Sequence, residues 1–150
     1  GPLRNCNTSP ASRRDRRGAH YDAGPASSAG AAGQMSSSSC PFCRVVSGED
    51  PAQILHSTET VLAFRDLRPQ APTHLLLIPK EHITDVRDLE ERHAGMLFDL
   101  FQAAAHLAKT EGVEATGWRL VTNVGRDAGQ SVFHLHIHLL GGRPMAWPPG

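Results

Sequence analysis

The segment His134-Leu135-His136-Ile137-His138-Leu139-Leu140 constrains this chain more than any other. Alternation of apolar and polar residues is the signature of a strand, because successive side chains leave it on opposite faces. Leu135, Ile137 and Leu139 are expected to enter a core, and His134, His136 and His138 to line the other face at intervals of about 7 Å. Imidazole suits nucleophilic attack and proton transfer near neutral pH, since its unperturbed pKa is about 6.5. A single histidine of this kind is easily a hydrogen-bonded core residue. Three in alternation, beside a Gly129-Gln130-Ser131 turn, point to a catalytic site or a metal cluster.

The surrounding pattern supplies a sheet for that strand. Residues 54–57 and 61–65 read as two strands joined by a tight turn around Thr58-Glu59-Thr60. The run 74–78 reads as a buried central strand after the proline-bearing loop Pro69-Gln70-Ala71-Pro72. Asp88 and Glu91 have the spacing of a capping box, and Leu89, Leu97, Leu100, Ala104 and Leu107 then recur at helical spacing. Met96, Phe101 and Ala108 widen that stripe, Gly112 is a natural stop, and one long helix over about 88–111 is predicted. Strands at 118–124 and 132–140 follow, separated by the loop 125–131. A short helical turn holds Phe42, Val45 and Val46 before Gly48 and Pro51 end it. The expected class is α+β, with about five antiparallel strands, one long helix and one short helix.

Residues 36–150 are expected to form one domain, whose core is large enough to fold without disulfides. Residues 1–35, built from Gly, Ala, Ser, Pro and Arg, carry too little apolar surface to offset ordering entropy and are expected to be disordered. The stretch Arg13-Arg14-Asp15-Arg16-Arg17 mimics an organellar leader but lacks an apolar face. A remnant of cloning or an upstream extension, with Met35 as the natural start, is the preferred reading. Fifteen basic and fifteen acidic side chains cancel, so no broad field collects nucleic acid or an anionic membrane. Cys6, Cys40 and Cys43 are too few for a disulfide framework, which favours a reducing, cytoplasmic setting. No apolar run approaches the ~20 residues of a membrane span. Cys40-Pro41-Phe42-Cys43 has the spacing of half a tetrahedral zinc site, and equally that of a redox pair or two buried thiols.

His-x-His-x-His followed by two apolar residues resembles the signature of the histidine triad (HIT) superfamily. The run Phe64-Arg65-Asp66-Leu67-Arg68-Pro69-Gln70-Ala71-Pro72-Thr73-His74 resembles the nucleotide-contacting segment of its Hint branch. Gly129-Gln130-Ser131 and the ending Gly141-Gly142-Arg143-Pro144-Met145-Ala146-Trp147-Pro148-Pro149-Gly150 resemble the same branch, so the likeness spans about residues 40–150. It implies a homodimer joined through long helices and edge strands into a continuous sheet. It also implies hydrolysis of purine nucleoside 5′-phosphoramidates, such as AMP linked to an amine, through a covalent nucleotidyl-His136 intermediate.

By the same resemblance His138, Ser131 and His74 belong to the catalytic site, and Asn123, Gly129 and Gln130 hold the phosphate and order the site. Asp66 accepts from the ribose hydroxyls, Phe42, Val45, Phe64 and Leu67 form a slot for the base, and Trp147 reaches toward the partner's site. Some bacterial and fungal members close a structural zinc site with residues that match Cys40, Cys43, His82 and His134. The remaining His20, His56, His93 and His106 read as surface or helix residues. Ala128 stands where the branch often has Gly, and Ala146 falls in a variable part of the tail. Alternatives are a dinucleotide polyphosphate hydrolase and a zinc-stabilised nucleotide-binding or scaffolding module. The transferase branch carries Gln at the position of His138 and fits less well.

Overall fold

The computed structural model describes residues 39–150, so the expectations for residues 1–35 and for His20 lie outside it. Helix α1 (Pro41–Ser47) begins on a proline, where a missing N–H costs nothing, and its N-cap Cys40 Sγ accepts from the Cys43 N–H at 3.4 Å. Gly48, at φ 80°, ends it in a left-handed turn that a side chain would strain. Strands β1 (Ile54–Ser57) and β2 (Val61–Arg65) occupy their predicted bounds. Thr58 makes the turn between them: its N–H donates to the Val61 carbonyl and its Oγ1 accepts from the Val61 N–H.

Strand β3 (Thr73–Pro79) is buried at every position. The reason is its place, since β4 (Trp118–Val121) and β5 (Ile137–Gly141) complete an antiparallel sheet in the order β1-β2-β3-β5-β4. Alternation along β2 and β3 then splits the core in two. Val61, Ala63, Leu75 and Leu77 join Ile137 and Leu139 of β5 against helix α2 (Ala94–Thr110), which contributes Leu100, Ala103, Ala104, Leu107 and Ala108. Leu62, Phe64, Leu76 and Ile78 face the other way and are covered by Cys40 and Phe42 at α1. Burying a leucine of this kind contributes about 1.5–3 kcal/mol. The register sets Phe64 opposite Leu76, and Leu76 opposite His138, so three neighbouring strands carry one row across the α1 face.

Several expectations need correction. The last strand begins at Ile137, five residues after its predicted start, so His134 lies in a bend and His136 in irregular chain just before the strand. The backbone there is already committed: the Leu135 N–H goes to the Ile83 carbonyl, and the His136 carbonyl accepts from Thr122 Oγ1. Strand β4 stops at Val121, just before that threonine, instead of running to 124. The long helix starts at Ala94, and neither Asp88 nor Leu89 belongs to it. Asp85 instead caps a 3₁₀ turn (Val86–Asp88), and a capping box between Glu90 and His93 starts the helical chain afresh. Phe101, placed in the apolar stripe by spacing, is 56% exposed, as is its neighbour Phe98 at 64%. His93 is buried, with Nδ1 accepting from the Glu90 N–H. Among the described residues no helix is long and apolar enough to cross a membrane.

Candidate active site and metal centre

On the α1 face of the sheet lies a cavity of about 470 Å³. Phe42 and Val45 of α1, Phe64 of β2 and Leu76 of β3 give it an apolar wall, and Val132, Ser131, His136 and His138 supply another. Asp66 and Leu67 stand at the end of β2, with Leu67 91% exposed. The structure thus gathers eight of the expected residues around one space: Phe42, Val45, Phe64, Asp66, Leu67, Ser131, His136 and His138. His74 is reached through His138. Gln130 is buried, and its amide is spent on the loop, accepting from the Gly125 N–H and donating to the Thr84 carbonyl. Gly129 takes φ 81° in the same loop, Asn123 is half-buried just after β4, and Trp147 is 83% exposed in the tail.

Backbone groups fix which ring nitrogen of His136 and of His74 carries a proton, and His74 passes that choice on to His138. His136 Nδ1 lies 2.6 Å from the His134 carbonyl, an acceptor only, so Nδ1–H donates and Nε2 keeps its lone pair. His74 is opposite: its Nδ1 accepts from the Gln70 N–H at 2.9 Å, which places the proton of the neutral ring on Nε2. That Nε2 is 2.9 Å from His138 Nδ1 and 3.3 Å from Asp66 Oδ2. His138 therefore accepts at Nδ1 and, when neutral, presents Nε2–H. Burial, with His136 and His74 close by, pulls the His138 pKa down to about 4, against the opposing Asp66 charge. Burial also lowers His74, again opposed by Asp66. Asp66 is held in turn by the Arg68 N–H on Oδ1.

A second cluster lies where α1 meets the start of the histidine segment. Cys40 Sγ, Cys43 Sγ, His82 and His134 place one ligand atom each within 4.8 Å of one another. His134 Nε2–H donates to the Pro79 carbonyl at 2.8 Å, leaving Nδ1 with its lone pair 3.4 and 3.6 Å from the two sulfurs. His82 Nδ1 is 3.2 Å from Cys43 Sγ. Zinc–sulfur and zinc–nitrogen bonds of about 2.3 and 2.0–2.1 Å at the tetrahedral angle imply sulfur–nitrogen edges of about 3.6 Å. The donor set fits zinc in type, number and spacing. Burial and the adjoining Cys40 push the Cys43 thiol up to about 11, a cost that a bound cation would reverse.

The cavity also contains residues that motif reading passed over. Leu76 shares the β3 face with His74 by simple alternation, and that period could have found it. Asp50, Pro51 and Ala52 reach the cavity after the reversal at Gly48, and Arg65 and Arg68 flank Asp66; spacing gives no sign of the first group. Arg65 is engaged elsewhere, in a two-point ion pair with Glu111.

An α+β fold whose antiparallel sheet brings His136 and His138 to an apolar cavity, with His134 just ahead of them in the second cluster, defines a histidine-triad type of protein. The HIT domain family model matches residues 47–145, and the chain belongs to that family. It is 49% identical over 73% of its length to a 14 kDa zinc-binding protein of Zea mays, covering 86% of that protein. It is 43% identical over 69% of its length to a purine nucleoside phosphoramidase of Escherichia coli, covering 87% of it. A crystal structure of a HIT family hydrolase from Legionella pneumophila superposes with a TM-score of 0.72 at 50% identity, covering 74% of this chain and 99% of that one.

Proposed function

We propose that this chain is a hydrolase of purine nucleoside 5′-phosphoramidates, releasing a nucleoside monophosphate such as AMP and an amine. The observation that carries the reading is the His136 ring: donating Nδ1–H to the His134 carbonyl leaves Nε2 as a lone pair in a residue that lines the cavity. Such a lone pair attacks phosphorus to give a nucleotidyl-imidazole, and water then regenerates the ring, so one difficult displacement becomes two easier ones. The nitrogen that leaves must be protonated, and His138 and Ser131 are the donors beside His136 for that purpose.

In this reading Phe42, Val45, Phe64 and Leu67 hold the purine, and Asp66 accepts from the ribose hydroxyls. Gly129, Gln130 and Asn123 shape the loop that receives the phosphate. Cys40, Cys43, His82 and His134 would hold zinc, which as a closed four-ligand site supplies stability by tying α1 to the sheet. The exposed Phe98 and Phe101 on α2 and the open edge of β4 suit a homodimer with a continuous sheet, which would bring Trp147 toward the partner's cavity. The similarity to a purine nucleoside phosphoramidase supports the same chemistry.

The test is turnover of an adenosine 5′-phosphoramidate by the full chain against His136→Ala and His136→Asn. A loss of roughly 10³-fold or more in kcat is expected, because the nucleophile has no substitute. Unchanged turnover in both variants would overturn the mechanism.

A further inference from the structure

Two segments remote in sequence meet behind the histidine pair, the loop Pro69-Gln70-Ala71-Pro72 and the tail that follows β5. Gly142, at φ 84°, lies so close to Pro72 that a Cβ there would come within 3.0 Å of the proline Cβ. Arg143 Nε donates to the Gln70 carbonyl at 3.0 Å, and its Nη1 to the Pro144 carbonyl at 3.1 Å. The same Gln70 gives its N–H to His74 Nδ1. We propose that Arg143 is a positioning residue for His138, acting through Gln70 and His74.

A backbone N–H can only donate, so Gln70 keeps the proton off His74 Nδ1 and sends it to Nε2. His74 Nε2–H then donates to His138 Nδ1, and the neutral His138 must carry its own proton on Nε2. Asp66 Oδ2, 3.3 Å from His74 Nε2, favours the same form. Gln70 is exposed, and among the described residues its side chain bonds the Arg68 carbonyl alone, so little besides Arg143 fixes its orientation from the tail side. If Gln70 turns away, His74 can place its proton on Nδ1 and accept at Nε2. The donor order then reverses, and His138 offers a lone pair at Nε2 where the leaving amine requires a donor.

The kinetic consequence rests on the phosphoramidase reading; the tautomer does not. The test compares Arg143→Ala and Arg143→Lys with Arg119→Ala, which removes the tail's other clamp, the bond from Arg119 Nη2 to the Ala146 carbonyl, without touching Gln70. Nitrogen NMR of histidine-labelled protein should show His74 protonated at Nε2 in the wild type and in Arg119→Ala, and mixed between its two nitrogens in Arg143→Ala. Arg143→Ala should lower kcat about tenfold for an adenosine phosphoramidate with a basic alkylamine leaving group, with KM unchanged. A weakly basic arylamine, which needs less help to depart, should lose less, and Arg143→Lys should recover part of the rate. Unchanged His74 signals in both Arg143 variants, or equal effects of Arg119→Ala, would overturn the proposal. A wild type that cleaves no phosphoramidate would sink the functional reading and leave the NMR comparison decisive for Arg143.

Discussion

The segment 134–138 touches two clusters of similar make-up, and they are wired in opposite ways. At its start, His134 points a lone pair at two sulfurs and hands its only proton to the Pro79 carbonyl. At its end, His138 and His74 set ring nitrogens 2.9 Å apart, a distance that requires a proton between them. Asp66, His74 and His138 also place ligand atoms within 4.8 Å of one another, as the Cys40 cluster does. Proximity alone therefore does not separate a metal site from a proton site. The separation comes from the backbone: a carbonyl acceptor on the far nitrogen frees the near one for a cation, whereas the Gln70 N–H donor commits His74 to giving its proton to its neighbour.

The strongest way to break this contrast is Cys40→Ser. Removing one of two thiolates should lower zinc from one per chain to a small fraction, as read by metal analysis after dialysis. It should also remove the stabilisation a bound ion confers, about 3–4 kcal/mol at free zinc some hundreds to a thousand times its Kd. Turnover at a temperature where the variant stays folded should fall far less than in His136→Ala. Full zinc occupancy in Cys40→Ser would show that the sulfur–nitrogen spacing near 3.2–3.6 Å does not reflect a metal site.

His138→Ala sharpens the contrast from the other side. Loss of the donor should reduce kcat by roughly 10²-fold, equivalent to about 2.7 kcal/mol, within the usual range for a proton-transferring group. Zinc content should stay at that of the wild type. A variant that loses metal and activity together would mean that the two clusters are one unit.

Most of the fold and much of the site were legible in the sequence, and the failures share a cause. β1 and β2 follow alternation and turn chemistry, both local, and their bounds hold to the residue. The four donors expected for zinc rest on the family resemblance, and the structure places their ligand atoms within 4.8 Å of one another. The histidine strand starts late because residues 132–136 have a strand's period without its backbone: the Leu135 N–H is taken by Ile83, a loop residue that no local pattern nominates. The long helix starts later than its spacing suggests because Asp85 caps a separate 3₁₀ turn through the Arg87 N–H, and the Glu90–His93 capping box then begins the helical chain anew. Phe101 has helical spacing but lies on the face turned away from the sheet. The Gln70 N–H, which fixes His74, had no signal at all, because every residue except proline carries such a group.

Acid should affect the two clusters unequally once metal is present, and this is the smallest of the expected effects. Burial lowers both His134 and His138 to about 4, against about 6.5 for a free imidazole. Below pH 6.5 the unfolded chain therefore binds more protons than the folded one, and stability falls as pH drops toward 4; above 6.5 the contribution of both rings is complete. In metal-free protein both rings contribute to that slope. With zinc on His134 Nδ1 a proton must also displace the ion, so acid releases metal and the fall becomes steeper and dependent on zinc concentration. Urea unfolding at pH 7, 6 and 5, with and without excess zinc, reads the difference. In His138→Ala the zinc-dependent part should persist and the zinc-independent slope should shrink. If instead the zinc dependence disappears with His138, the proton site and the metal site are not separately wired.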